Sequence, residues 1–112
     1  MGTLKNHVQL IGNVGQDPTM ITLDNGKKGA KFPLATNEHY KNAKGEKQTQ
    51  TDWHNIVAWG RTANIIEKYV NKGKEVAIAG KLTSRSYEDK NGTKRYVTEV
   101  VVSEILLLGG NE

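Results

Sequence analysis

The hydrophobic positions between Thr51 and Gly60 form the kind of run expected of a β-strand. β-Branched and aromatic residues dominate this run, which ends at a glycine. Because successive side chains of a strand point to opposite sides, the strand has two different faces. One face carries Trp53, Asn55, Val57 and Trp59, and the other carries His54, Ile56 and Ala58. The second face suits the inside of a small barrel, while the first holds two indoles roughly 20 Å apart.

Strand patterns and turn signals predict further strands along the chain. They cover Asn6–Val14, a hairpin of Met20–Leu23 and Ala30–Thr36 around Asp24-Asn25-Gly26, a run from Val76 towards Tyr87, and a final strand from Tyr96 to Leu108. Between the tryptophan strand and Val76 the period becomes helical at Ile65, Ile66, Tyr69 and Val70. Thr62 is predicted to cap this helix and Gly73 to end it.

The segment from Lys41 to Gln50 interrupts the pattern. It contains no apolar residue larger than Ala43. Because such a segment has nothing to bury in a core, we expect a mobile loop here.

With the hairpin counted as one unit, the order of three strands, a helix and two further strands predicts an all-β fold. It is the order of an OB-fold, a five-stranded Greek-key barrel with one helix between strands 3 and 4. An SH3-like barrel has little use for a helix at this point. Residues 1–112 contain no internal repeat or linker, so we expect a single domain with an ordered core to about residue 108.

Composition limits the possible functions. The chain has 16 basic and 12 acidic residues, a net charge of +4, which fits an anionic partner without requiring one. It contains no cysteine, which excludes disulfides, thiolate metal sites and thiol nucleophiles. The N-terminal residues lack the apolar core of a signal peptide and no apolar run is long enough to span a bilayer, so we expect a cytoplasmic location and no membrane partner.

Four aromatic residues are the candidate binding positions. Trp53 and Trp59 share a strand face, while Tyr40 and Tyr87 end polar stretches without apolar neighbours at strand spacing. Burial of both indoles in the core is the alternative interpretation, because that is the usual place of large rings. The polar surroundings of the two tyrosines favour a surface on which bases stack. Phe32 and Tyr69 are expected in the core, and the pattern leaves Tyr96 open.

Basic residues near these aromatic positions favour a polyanion over the second candidate ligand, an oligosaccharide, which also stacks on exposed rings. The candidates for backbone contacts are Lys41, Lys44, Lys47, Arg61, Lys72, Lys81, Arg85 and Arg95. None of the three histidines belongs to a catalytic or metal-binding motif, and no P-loop is present. We therefore expect a binding protein with no cofactor, and not an enzyme.

The sequence also resembles the bacterial single-stranded-DNA-binding proteins over almost its whole length. The matching stretches are residues 8–18 with Gly15-Gln16-Asp17-Pro18, Leu34-Ala35-Thr36, Thr51-Asp52-Trp53-His54, Trp59-Gly60-Arg61 and residues 95–102. The resemblance implies that Tyr40, Trp53, Trp59 and Tyr87 stack on the bases of single-stranded DNA during replication, recombination and repair. Tyrosine replaces the indole often found at the first and last of these positions.

The resemblance further implies a homotetramer, with His54 near a subunit contact. Members of that family usually continue into a disordered Gly- and Pro-rich segment with an acidic tip that recruits other enzymes. The sequence ends at Leu108-Gly109-Gly110-Asn111-Glu112. Recruitment that depends on such a tail is therefore not assigned to it.

Overall fold

A computed structural model describes residues 4–108, which form six strands, one α-helix and a short 3₁₀ helix. The 3₁₀ helix is Leu4–Asn6 and the α-helix, α1, is Arg61–Tyr69. The strands are β1 (Val8–Val14), β2 (Thr19–Thr22), β3 (Lys28–Lys41), β4 (Lys47–Trp59), β5 (Glu75–Glu88) and β6 (Lys94–Leu108).

Five of the strands close into a barrel. The sheet order is β1-β5-β6-β4-β3-β2, and β1 also pairs with β3. That closing contact consists of the pairs Asn13↔Ala35 and Val14↔Leu34. Among residues 4–108, the short β2 pairs only with β3 and lies outside the ring, and β4 runs parallel to β6. Helix α1 follows β4 and precedes β5, the third and fourth strands of the ring, so the predicted OB-fold is confirmed.

The core lies inside the barrel and takes alternate residues from each strand. Phe32 and Leu34 of β3 and Ile56 of β4 are buried, as their strand positions predicted. Ile66 of α1 closes the same cluster. The prediction that Tyr69 belongs to the core is wrong, because 59% of this residue is exposed. The helix ends at Tyr69 and the chain continues in extended conformation at Val70, which takes the buried position instead.

The ends of the helix also differ from the prediction. Gly60, with φ +64°, occupies the N-cap position without a side-chain hydrogen bond, and Thr62 already lies inside the helix. Gly73, with φ +92°, belongs to the turn that follows and does not end the helix. The positive φ at both positions favours glycine over other residues.

Two long ribbons extend from the barrel. We call residues 37–51 the β3–β4 arm and residues 84–98 the β5–β6 arm. The first corrects the prediction of a mobile loop at Lys41–Gln50, because strand pairing continues to Lys41↔Lys47 and only residues 42–46 form a turn. Cross-strand backbone hydrogen bonds satisfy a polar ribbon that buries little apolar surface, which is why the hydrophobic pattern did not reveal it. No helix within residues 4–108 is long and apolar enough to cross a membrane.

Candidate nucleic-acid interface

Trp53 lies at the surface and not in the core, with 62% of the residue exposed. Its ring is seated on Gly15, where an added Cβ atom would come within 2.4 Å of the indole Cζ3 and 3.4 Å of Pro33 Cγ. The absence of a side chain at Gly15 therefore provides the space in which the ring lies. The ring thus rests against the protein at Gly15, while most of the residue stays exposed.

Trp59 lies on the same strand face but is only half-buried. Its ring covers Gly29, where an added Cβ would come within 2.5 Å of the indole Cζ3. The ammonium nitrogen of Lys27 is 5.3 Å from the ring centroid. This distance is within the range of a cation–π interaction, so a positive charge stands beside the second indole.

A groove of about 590 Å³ lies between the outer face of β3 and β4 and the β5–β6 arm. Tyr87, which is 47% exposed, lines the groove from the arm. The amide of Asn55, on the Trp53 face, also lines it and donates a hydrogen bond to the carbonyl oxygen of Thr98 at 3.4 Å. The structure thus brings Tyr87 and the outer face of β4 to one surface.

Three charged side chains meet in this groove. Arg85 donates to both carboxylate oxygens of Glu99, from Nε at 3.3 Å and from an Nη nitrogen at 3.4 Å. Lys31 Nζ lies 3.9 Å from Glu99 Oε2. Glu99 is 8% exposed and is the one buried charged or polar side chain within residues 4–108.

Tyr40 does not share the face of the tryptophans. It pairs with Gln48, whereas Trp53 pairs with Ala35, and an odd number of positions along β3 separates Tyr40 from Ala35. Tyr40 therefore stands on the opposite side of the β3–β4 arm. Lys41 and Lys47, which are direct cross-strand partners, stand on the Trp53 side.

The remaining basic candidates do not line the groove. Arg61 begins α1, Lys44 lies in the turn of the β3–β4 arm, and Lys81 pairs with Val101 on β6. The turn that contains Lys72 is tied to Asp17, whose carboxylate accepts from the Lys72 backbone amide at 2.8 Å.

Arg95 is engaged within the β5–β6 arm. Its Nε donates to Asp89 Oδ2 at 2.9 Å, and Asp89 also accepts from the turn amides of Asn91 and Thr93. The hydrogen bond from the Arg95 guanidinium is the largest cause that lowers the pKa of the Asp89 carboxyl below its usual value. The hydrogen bonds from the two amides lower this pKa further.

His54 belongs to the core side of β4. It is half-buried, pairs with Leu34, and its Nε2 lies 2.9 Å from the hydroxyl oxygen of Thr36. No His, Cys, Asp and Glu side chains within residues 4–108 form a group of three or more that could hold a metal ion.

Some residues of this surface were not among the sequence candidates. Lys31 interrupts the apolar run of β3 on its outward face, and Glu99 is the one charged residue within Val97–Val102. Each is a single charge within a mostly apolar stretch of its strand, and that is the signal by which it can be found. Gly15 and Gly29 carry no such signal, because only the structure places an indole over each.

A closed OB-fold barrel with exposed rings and cations on its outer face has the architecture of proteins that bind single nucleic-acid strands. The chain belongs to the single-strand binding protein family, whose model matches residues 5–108. This membership confirms the resemblance noted from the sequence. It also confirms the prediction of a binding protein that is not an enzyme.

Two relatives illustrate the similarity. The chain is 43% identical over 108 residues to "Single-stranded DNA-binding protein 1" of Chlorobaculum tepidum, covering 96% of this chain and 67% of that protein. It is 48% identical over 105 residues to "Single-stranded DNA-binding protein" of Bacteroides thetaiotaomicron, covering 92% of this chain and 65% of that protein. The chain thus spans about two thirds of the length of these relatives.

A solved structure agrees with the fold. The Plasmodium falciparum SSB in complex with ssDNA superposes with a TM-score of 0.84 at 32% sequence identity, and the match covers 97% of this chain and 99% of the other.

Proposed function

We propose that this chain binds single-stranded DNA without reading its sequence, by stacking bases on exposed aromatic rings and by contacts between basic side chains and phosphates. The observation that carries this proposal is the 62% exposure of Trp53 on its glycine seat. Large apolar rings are usually buried, so one supported at the surface is available to a flat ligand. A stacked base contributes about 1–3 kcal/mol. Family membership and the similarity to a protein solved with ssDNA support DNA as the ligand.

The proposed stacking residues are Trp53, Trp59, Tyr87 and Tyr40. Trp53 and Trp59 lie on the outer face of the barrel, and Tyr87 lines the groove. Because Tyr40 stands on the other side of the β3–β4 arm, a strand that contacts it must pass around that arm. Tyr40 therefore contacts a part of the strand well separated from the part that lies on Trp53.

The proposed backbone contacts come from basic side chains at the same surface and at its margins. Lys41 and Lys47 oppose each other directly, and like charges in such a pair repel. A phosphate placed between them relieves this repulsion, which supports a polyanion at the β3–β4 arm. The other proposed contacts are Lys44, Arg61, Lys72, Lys81, Arg85 and Arg95. A neutral oligosaccharide has no corresponding use for these charges.

A fluorescence titration tests the proposal. Oligo-dT, the same length of duplex, an RNA oligonucleotide and an oligosaccharide are each added to the protein while tryptophan emission is followed. Single-stranded DNA is expected to quench the emission at the lowest concentration, because stacking changes the surroundings of the indoles. Stronger binding of the oligosaccharide or of duplex DNA would overturn the proposal.

Matched variants separate stacking from general effects. Trp53→Ala is expected to weaken oligo-dT binding by about 1–3 kcal/mol without unfolding the protein. Tyr69→Ala removes an aromatic ring of similar exposure on the helix, and we expect unchanged affinity from it. Equal affinities of wild type and a folded Trp53→Ala variant would contradict the stacking role.

We also propose that four copies assemble into a homotetramer with His54 close to a subunit boundary. Two features support assembly. Strand β1 pairs with β3 only at Asn13 and Val14, which leaves one edge of Val8–Gly12 without a partner strand in the described chain. Unpaired strand edges are natural sites of association.

The second feature is an apolar row across the outer face of β1, β5 and β6. Ile11 pairs with Ala77, and Ala77 pairs with Leu106. Ile11 is 55% and Leu106 62% exposed, so residues 4–108 of one copy do not cover the row. A tetramer offers several barrels to one long strand, which raises the overall affinity through multivalency. A cytoplasmic role in replication, recombination and repair remains part of the proposal.

A further inference from the structure

Glu99 is a buried negative charge in a groove that is proposed to receive a polyanion. Its residue exposure is only 8%, and it lines the groove together with Lys31, Arg85 and Tyr87. Burying a carboxylate is unfavourable unless it is paired. A charge of this sign at this place therefore needs an explanation beyond general solubility.

The partners of Glu99 come from two other strands. Arg85 of β5 binds both carboxylate oxygens, and Lys31 of β3 approaches one of them. The side chain of Glu99 is 10% exposed, whereas those of Lys31 and Arg85 are 42% and 52% exposed. The carboxylate thus lies behind two cations that remain accessible from the groove.

This arrangement changes the charge that a bound strand meets. Two cations and one carboxylate have a net charge of +1, and a phosphate that contacts Arg85 competes with Glu99 for the same guanidinium. Binding at this place then releases fewer counterions from the DNA than it would if Arg85 and Lys31 were both free to contact phosphates. The affinity contributed by this part of the groove becomes less dependent on salt.

We propose that Glu99 is a positioning residue that holds Arg85 and Lys31 and thereby limits their contacts with phosphate. The inference rests on the proposed binding of single-stranded DNA. With Glu99 in place, stacking on the rings contributes more of the affinity than electrostatic contacts in the groove do. Loss of the carboxylate frees both cations for the strand.

Glu99→Gln tests this proposal, because it removes the charge and keeps the shape of the side chain. Affinity for oligo-dT is measured by tryptophan quenching over a series of salt concentrations. We expect tighter binding at low salt and a slope of log affinity against log salt that is steeper by about 0.7 to 1.4, equivalent to one or two additional phosphates. Glu99→Asp keeps the charge and is expected to stay near the wild-type slope.

Glu104→Gln is the matched control. Glu104 lies on the same strand, is exposed, and pairs with Ala79 outside the groove. Glu104→Gln changes the net charge by the same amount as Glu99→Gln. If its effect on the salt slope is smaller, the larger effect of Glu99→Gln is due to the position of the carboxylate and not to the net charge. Light scattering confirms equal assembly masses, and thermal unfolding confirms that both variants are folded.

A second comparison identifies Arg85 as the group through which Glu99 acts. Arg85→Ala is expected to change the salt slope little when Glu99 is present and by about 0.7 in the Glu99→Gln background. In the otherwise unchanged protein, Arg85→Ala should flatten the slope less than Lys41→Ala does. This last comparison does not alter the buried residue and so applies even if Glu99→Gln unfolds.

Three results would overturn the inference while the proposed function stands. They are a slope for Glu99→Gln equal to that of Glu104→Gln, a flatter slope with weaker binding, and an Arg85→Ala effect as large as that of Lys41→Ala. Failure of the wild-type protein to bind oligo-dT would instead overturn the proposed function, and the inference with it.

Discussion

The indole of Trp53 occupies the space that a side chain at Gly15 would need, since an added Cβ there would stand 2.4 Å from its Cζ3. The ring is at the end of a flexible, exposed side chain, so it can move aside where a backbone atom cannot. Gly15→Ala is therefore expected to displace the ring and weaken oligo-dT binding without a large loss of stability. Tryptophan emission in the free protein and quenching by oligo-dT measure the two effects. Wild-type emission and affinity would contradict the role of Gly15 as the seat of the ring.

Gly12→Ala is expected to act on the fold and not on the ring. A Cβ at Gly12 would lie 2.2 Å from the carbonyl oxygen of Ala35, which is a backbone atom of the facing strand. Overpacking of this kind costs about 1–3 kcal/mol. Denaturant unfolding should show a clear loss of stability for Gly12→Ala, with Gly15→Ala as the control close to wild type. Equal stabilities of the two variants would show that the strands separate easily here.

Replacing Lys41, Lys44 and Lys47 together with Ala is expected to flatten the salt dependence of binding. Three lost phosphate contacts correspond to a change in slope of about 2. The weakening should be similar for all sequences, because phosphate contacts do not read bases. Replacing Lys5, Lys68 and Lys74, which lie outside the groove and the β3–β4 arm, removes the same charge and serves as the control. A loss confined to particular DNA sequences would contradict backbone binding.

Ile11→Asp is expected to break the proposed assembly. It places a charge in the exposed row formed with Ala77 and Leu106, where a second copy would have to bury it. Light scattering should give about four times the 12.4 kDa chain mass for the wild type and a smaller mass for the variant. A monomeric wild type that still binds oligonucleotides would refute the tetramer and leave the stacking surface intact.

Acid should loosen the tip of the β5–β6 arm. Because the pKa of Asp89 is lowered in the folded chain, its contribution to stability is present above the usual Asp pKa and is lost as the pH falls through the lowered value. Amide exchange of Thr93 and Asn91, whose N–H groups bind Asp89, is expected to accelerate over that range. In Asp89→Asn this acid dependence should disappear. An unchanged acid response in the variant would assign the effect to another group.

Period-two alternation predicted the barrel well, because core strands must bury every second residue. Phe32, Leu34 and Ile56 are all buried where this pattern placed them. It could not predict the β3–β4 arm, whose strands pair through backbone hydrogen bonds and have two exposed faces. It also misplaced Tyr69, because the point at which a short helix ends depends on the turn that follows.

The candidate site was predicted less completely than the fold. The face of β4 that carries Trp53 is an outer face of the barrel, as its strand pattern indicated, and Arg85 and Tyr87 line the groove. The pattern did not predict that Tyr40 stands on the other side of its arm, since the register of the arm depends on the length of its turn. The association of Arg85 with Glu99 links β5 to β6, and alternation within one strand contains no information on such a pair.

Strands β1 and β3 close the barrel through only two residue pairs, Asn13↔Ala35 and Val14↔Leu34. The next residue, Gly15, donates its amide proton to the carbonyl oxygen of Pro33 at 2.9 Å and carries the Trp53 ring. If this junction between β1 and β3 opens, Gly15 moves away from the indole and the stacking surface loses its support. A ligand that requires the seated ring thus favours the closed barrel, and its binding energy stabilises this narrow junction.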